Sequence, residues 1–242
     1  ACAALFMAFF TPLALAAGTV DVYTPGDSKT KILTDAAHLI DVVGQPRLAQ
    51  SWWPGAVISE RQATAVATER QQALLGRLSA LAAEESGDDA AAVNALRQQV
   101  AALKITGRQQ VNLDPDYVRV EAGANPPLQG YYTLWVGPQP STITLFGLGS
   151  QPGKKPFTPG RDVVSYLDEM HLLSGAEKSE AWLIYPNGKT QKVPVAYWNR
   201  RHVEPMPGST IFVGFSPALW GDRYEALNAD ILHSLTHRIP EQ

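Results

Sequence analysis

The chain has 242 residues, a net charge of −3 and a pI of about 6.0, enough length for one large hydrophobic core or two small ones. No block of Lys or Arg marks a nucleic-acid or anionic-membrane surface, and charged residues, at 18%, fall below the roughly 25% usual for globular domains. Plentiful Gly (19) and Pro (18) favour short strands joined by many turns, and the single cysteine, Cys2, excludes a disulfide framework.

In chain order, residues 1–16 are an apolar run closing in Ala14-Leu-Ala16, the small-x-small pattern of a signal-peptidase site. A transmembrane span is the competing reading, and Thr11-Pro12 and the short apolar length speak against it. Cleavage there predicts a mature protein from Ala17 onward, with Cys2 lost and no lipid-anchor Cys at position 17, exported to a periplasm. Residues 60–105 follow a Gly- and Pro-rich stretch and contain no proline. They predict a helical hairpin: Ala67, Gln71, Leu74, Leu78 and Leu81 share one stripe, and Val93, Leu96, Val100 and Leu103 another. Ser86-Gly87-Asp88-Asp89 supplies the turn, with aspartates to cap the second helix and complement its dipole. Such a pair buries one stripe per helix and needs a further surface to become rigid.

Beyond it, Thr142 to Phe146, Ala181 to Tyr185, Lys192 to Val195 and Thr210 to Val213 read as strands, with Arg161 to Leu173 as a helix between the first two. At the C-terminus, Trp220, Tyr224, Leu227, Ile231 and Leu235 fall on one face of a helix from Ala218 to Ile239. Its acidic residues argue against a membrane span. That leaves docking on the protein itself, lying on a membrane, or assembly with identical helices.

Four short phrases recur in the same order. Tyr23-Thr-Pro-Gly26 returns as Phe157-Thr-Pro-Gly160, and Ala37-His-Leu-Ile40 as Met170-His-Leu-Leu173. Trp53-Pro-Gly55 returns as Tyr185-Pro-Asn-Gly188, and Pro127-Leu-Gln-Gly130 as Pro205-Met-Pro-Gly208. Pro54 to Pro127 spans 73 positions where Pro186 to Pro205 spans 19, so the first copy carries 54 extra residues, and the hairpin falls among them. The reading is a duplicated α+β roll with an insertion in its first copy.

Chemistry-bearing residues are sparse. His233 and His237 share a helical face at a zinc-compatible spacing, but no third ligand or intervening glutamate accompanies them, so a surface helix is the better reading. His38 and His171 occupy matching phrases and read as parts of the fold. Asp114 and Asp116, and Asp168 and Glu169, supply carboxylates of the kind glycosidases use, although such pairs more often belong to turns and helix surfaces. Gly147-Leu-Gly149 lacks the third glycine of a dinucleotide site. Arg108 sits where the insert returns to the first roll, placed either to bridge the parts or to bind an anionic sugar group. Adjacent aromatics at 52–53, 131–132 and 197–198 should send one of each pair outward, where it can stack on sugar rings or be covered by a helix. Arg108, Trp53, Tyr132 and Trp198 are therefore the candidate binding residues, with no catalytic set, metal site or cofactor expected.

The strand Ile143-Thr-Leu-Phe146, the Phe157-Thr-Pro-Gly160 turn, the helix ending at Ser174-Gly175 and the run Pro207 to Val213 resemble the soluble-ligand-binding β-grasp (SLBB) domain of polysaccharide-export proteins. Two such copies, the inserted hairpin and the amphipathic tail together resemble the GfcC-like family of capsule-operon proteins. The resemblance implies an α+β fold of two tandem β-grasp domains, at 17–137 with the hairpin at 60–105 and at 138–216, followed by a tail helix over 217–242. It implies a non-enzymatic periplasmic role in assembling or exporting capsule or exopolysaccharide, with polysaccharide or outer-membrane export proteins as partners and no nucleic acid. It further implies kinship with Wza-type exporters, whose terminal amphipathic helices build a pore. An enzyme that modifies or cleaves polysaccharide and an oligomeric export component built from the tail helix are the alternatives.

Overall fold

The computed structural model describes residues 16–26, 30–217 and 221–240. The expected leader, apart from Ala16, and Trp220 of the tail stripe lie outside the described residues.

The first sheet is made by β1 (Gly18–Tyr23), β2 (Lys31–Ala36), β3 (Val57–Glu60) and β4 (Tyr131–Trp135), in the order β2-β1-β4-β3. Alternation along β1 buries Val20 and Val22 and turns Thr19, Asp21 and Tyr23 outward. The buried side joins Leu134 and Ile58 to Leu39, Val42 and Val43 of the short helix α1 (Leu39–Val43) and to Val118 of α4 (Pro115–Val120).

The second sheet contains β5 (Thr142–Gly147), β6 (Gly153–Pro156), β7 (Glu180–Ile184), β8 (Thr190–Pro194) and β9 (Thr210–Val213), in the order β6-β5-β9-β7-β8. In each sheet a hairpin is followed by a helix, and a later strand returns to lie parallel beside the first: β4 beside β1, and β9 beside β5. This is the β-grasp arrangement, and it occurs twice. The α+β class and the tandem pair of β-grasp units are as expected.

The topology locates the duplication better than the phrases do. Tyr23 to Gly26 leads from β1 towards β2, whereas Phe157 to Gly160 follows β6. His38 precedes α1, whereas His171 follows α5 (Val163–Leu167), and Trp53 to Gly55 precedes β3 whereas Tyr185 to Gly188 joins β7 to β8. These three pairings, and with them the equivalence of the two histidines, are out of register. Pro-Gly turns recur wherever strands end, so short phrases of this kind match by turn chemistry alone. Only Gly130 and Gly208 hold equivalent places, each at positive φ just ahead of the strand that returns to the centre. The helix expected to Leu173 is also shorter, because the chain at 171–173 leaves it to pair with Leu148 to Ser150.

The insert replaces the turn that joins β7 to β8 in the second unit. After β3 the chain runs directly into α2 (Arg61–Glu84), turns, and returns along α3 (Gly87–Ala102). The Glu60 carboxylate accepts from the backbone N–H groups of Gln62 and Ala63 at 2.9 and 2.7 Å and so caps α2. The buried set on α2 is Ala67, Gln71, Leu74, Leu78 and Leu81, the stripe read from the sequence. At the start of α3 the aspartates stand in the first turn but do not cap it; Asp89 accepts from Ser174 Oγ of the second unit instead.

The hairpin's apolar stripes join the core of the second unit. Leu74, Leu78, Leu96 and Val100 lie in one continuous cluster with Ile143, Phe146, Leu183 and Phe212, and with Tyr224, Leu227, Ile231 and Leu235 of the tail helix α6 (Asp222–Thr236). Strands β5, β9 and β7 are consequently buried on both sides, and β9, Thr-Ile-Phe-Val, is buried at every position. Two amides fasten the helical layer. Gln99 on α3 accepts from Gly147 N at 2.9 Å and donates to Gly147 O at 2.8 Å. Asn228 on α6 repeats the device on Phe215, at 2.8 Å for each bond. A carboxamide has the donor and acceptor of a peptide group, so it substitutes for a neighbouring strand where the sheet ends. Gly147 is required here: its φ is +112, and a Cβ would fall 2.0 Å from the Val213 carbonyl oxygen. No helix among the described residues is long and apolar enough to cross a membrane.

Candidate functional site

Arg108 is positioned by the way the insert closes. After α3 the chain passes under the N-terminus of α2, where Gly107 donates to Thr64 Oγ1 at 2.9 Å and accepts from Glu60 N at 3.1 Å. Arg108 then bridges Ser59 on the outer edge of β3, the place that β8 takes beside β7 in the second unit. From there its guanidinium reaches across to the second unit and donates from Nη2 to the Pro186 carbonyl at 2.9 Å, packed over the Gly188 backbone.

The cation is held in an unfavourable setting. Burial, with Arg238 as a second cation nearby, lowers the Arg108 pKa to about 10. Among the described residues no carboxylate pairs with it. There its guanidinium donates only to a neutral carbonyl.

Arg108 lines a cleft of about 500 Å³ between the units. Trp53 and Pro54 form one wall, residues 110–114 another, and Asn187, Lys189 and Met206 of the second unit close it. The structure thus brings Arg108 and Trp53 together. Tyr132 is elsewhere: it points to the core side of β4, half-buried against the first unit's apolar cluster, and its strand neighbour Tyr131 faces outward. Trp198 lies apart as well, 75% exposed, in a turn after β8 where Tyr197 is exposed too. The inward–outward alternation expected of that pair fails because the two residues are not in a strand. Asn187 and Lys189 were missed by sequence reading, since a turn Asn and an exposed Lys carry no signature of their own.

The other chemistry-bearing residues serve local structure. Asp114 accepts from Asp116 N at 2.9 Å and caps α4, and Asp116 pairs with Arg119. Glu169 pairs with Arg161, and Asp168 ends α5. The His233 and His237 rings stack at 3.9 Å, and burial lowers the pKa of both, His233 to about 4. Among the described residues, no three His, Cys, Asp or Glu side chains converge as a metal site.

Fold and cleft together define a tandem β-grasp protein whose junction presents a desolvated cation beside an indole. The chain belongs to the GfcC family of capsule-biosynthesis proteins: residues 16–139 match the N-terminal part of that family and residues 151–240 the C-terminal part. It is also 65% identical over 238 residues to the protein YjbG of Escherichia coli strain K12, itself described as uncharacterized, covering 98% of this chain and 97% of that one.

Proposed function

We propose that the protein is a non-enzymatic periplasmic component of capsule or exopolysaccharide assembly or export, and that it acts by binding the polysaccharide at the cleft between its two units. Residues 1–16 serve as the export leader, and the units extend over 17–137 and 138–216 with the tail helix after them. Membership of a capsule-biosynthesis family supports the process. The observation that carries the binding mode is Arg108, a half-buried guanidinium that pairs with no carboxylate among the described residues and opens on a cleft that also holds Trp53 and Lys189. A partly desolvated cation facing only a carbonyl is unfavourable, and an anionic group entering the cleft would pair with it in bidentate geometry. The carboxylates that glycoside hydrolysis would call upon cap helices or pair with arginines, which favours binding over cleavage.

The test is a deletion in a producing strain, complemented by the wild-type chain or by Lys189→Glu, an exposed position that places a negative charge at the cleft without touching the core. The expected result is loss of surface polysaccharide in the deletion and failure of Lys189→Glu to restore it. Unchanged surface polysaccharide in the deletion would overturn the capsule role. New reducing ends after incubating purified protein with the polymer would overturn the non-enzymatic reading.

A further inference from the structure

The two β-grasp units differ in how their sheets are covered. The parallel pair of the second sheet sets Phe146 beside Phe212, buried beneath the helical layer. The parallel pair of the first sheet sets Tyr23 beside Trp135, and these stay accessible, Tyr23 exposed and Trp135 half-buried. Their rings are nearly coplanar in orientation, 15° apart with centroids at 6.0 Å. Further along the same face of β4 comes Thr133, opposite Asp21, and then Tyr131, 53% exposed, with the Arg61 guanidinium 4.1 Å from its ring centre. Four residue rises of roughly 3.3 Å put Tyr131 about 13 Å from Trp135 along the strand.

This face is the floor of a groove. One stretch of about 610 Å³ lies between Tyr23, Trp135 and the chain at Lys104 and Ile239; a second, of about 240 Å³, continues from Trp135 and Ile239 past Asp21 to Arg61 and Tyr131. Its chemistry is amphipathic: flat aromatic rings interleaved with threonine and aspartate on the sheet, with Leu103, Ile105 and Ile239 along the sides. Among the described residues lining it, Arg61 and Lys104 stand on its rim with the carboxylate of Asp21, and Lys154 and Arg238 line it as well.

We propose that the open face of the first sheet is a second binding site, for a linear acidic oligosaccharide whose sugar rings stack on Tyr23, Trp135 and Tyr131 and whose carboxylates meet the basic rim. Stacking offers each ring an apolar face, the polar floor accepts hydroxyl hydrogen bonds, and the cations choose acidic over neutral polymer. The site rests on the polysaccharide-binding reading above and extends it from one cleft to a groove long enough for several sugars.

The experiment uses the full chain and titrates it with oligosaccharides cut from the producing strain's own polymer, and with the same fragments after carboxyl reduction. The variants are Tyr23→Ala/Tyr131→Ala and Arg61→Ala, all at exposed positions, each checked by circular dichroism and thermal melting for a native fold. Wild-type binding should weaken at least ten-fold on carboxyl reduction and in the double aromatic variant, and become less salt-sensitive in Arg61→Ala. No binding of the acidic fragments by the wild-type chain, or equal binding by the folded double variant, would overturn the groove. If Lys189→Glu abolishes binding and the groove variants do not, the groove fails while the cleft reading stands. If the groove variants instead abolish self-association and leave sugar binding intact, the face is a protein interface and the proposal is wrong.

Discussion

Replacing Gln99 by Ala should show that the inserted hairpin is structurally part of the second unit. Gln99 stands three residues after Leu96 and next to Val100; besides a long 3.5 Å bond to Ala95 O in its own helix, its carboxamide forms two bonds of 2.8 and 2.9 Å to the backbone of Gly147, at the end of β5. Ala removes both. The Gly147 carbonyl keeps a bond from Gly149 N at 3.0 Å, but its N–H loses the Gln99 acceptor at a partly buried site. At about 1 kcal/mol per bond, the expected loss is about 2 kcal/mol, and more where water cannot reach the freed N–H. With a urea m-value of about 2 kcal/mol/M, the unfolding midpoint should fall by about 1 M. Gln99→Glu sharpens the test, because an ionised carboxylate still accepts from Gly147 N but repels Gly147 O. Below the usual carboxyl pKa of about 4.3 the protonated acid regains a donor, so the gap between Gln99→Glu and wild type should narrow in acid. A midpoint shift under about 0.2 M for Gln99→Ala, or a Gln99→Glu gap that does not depend on pH, would refute the claim that this amide acts as a strand edge.

Three further outcomes follow from the geometry. Gly107→Ala places a Cβ 2.1 Å from Thr64 N, where backbone meets backbone, so about 2 kcal/mol should be lost and the melting temperature should drop by roughly 5 °C; an unchanged melting temperature would contradict the close approach. His233 is kept neutral by burial, with His237 and Arg70 as nearby cations and Asp230 opposing them, so its folded pKa of about 4 lies below the unfolded value of about 6.5. The unfolded chain binds the extra proton between these values, so stability is full above pH 6.5 and declines as pH falls towards 4. Screening at this half-exposed ring reduces the effect to on the order of 1 kcal/mol, and His233→Gln should flatten that part of the urea-midpoint profile. Replacing residues 61–106 by a two-residue turn strips Leu74, Leu78, Leu96 and Val100 from the second unit's core; the product should bind a hydrophobic dye or precipitate, and a soluble, cooperatively folded product would refute the shared core.

Periodicity made the long elements legible. The α2 stripe coincides residue for residue with the buried set, and Tyr224, Leu227, Ile231 and Leu235 are the buried apolar face of α6 as read. What sequence could not give was the partner of each stripe. Nothing in Leu96 or Val100 says that their neighbours are Phe146 and Phe212, because apolar contacts carry no address. The amides of Gln99 and Asn228, which do carry one, fall outside the hydrophobic pattern and read as ordinary helix surface. The repeat was legible as a duplication but misplaced in register, because Pro-Gly turns mark strand ends without marking which strand. In the cleft, Trp53 and Arg108 were both singled out, yet their meeting depends on the β3-edge bridge at Arg108, and Pro186 across the junction has no local signal at all. On β4 it is Tyr131 that faces outward into the groove, one residue from the candidate Tyr132, since period two fixes that the neighbours diverge but not which one faces the core.

The docking of α6 bears on whether the tail can build an assembly. Its apolar face is occupied: Tyr224, Leu227, Ile231 and Leu235 are each at most 3% exposed, and Phe215 packs edge-on to Tyr224 with centroids 5.1 Å apart. Returning four such side chains to water costs roughly 1.5–3 kcal/mol each, so undocking the helix carries an upper-bound penalty of roughly 6–12 kcal/mol before the Asn228 bonds are counted. The surrounding pairs, Asp230 with Arg70 and Arg77 and Glu84 with Arg223, are exposed or half-exposed and add little to this. They do fix which side of α6 meets α2. A ring of identical tail helices would have to offset the whole penalty through the same face, and it would uncover the Leu74, Leu78 and Phe212 core in doing so. The hairpin that interrupts the first unit is thus the element that retains the tail. An oligomer of this chain is expected to use the polar side of α6.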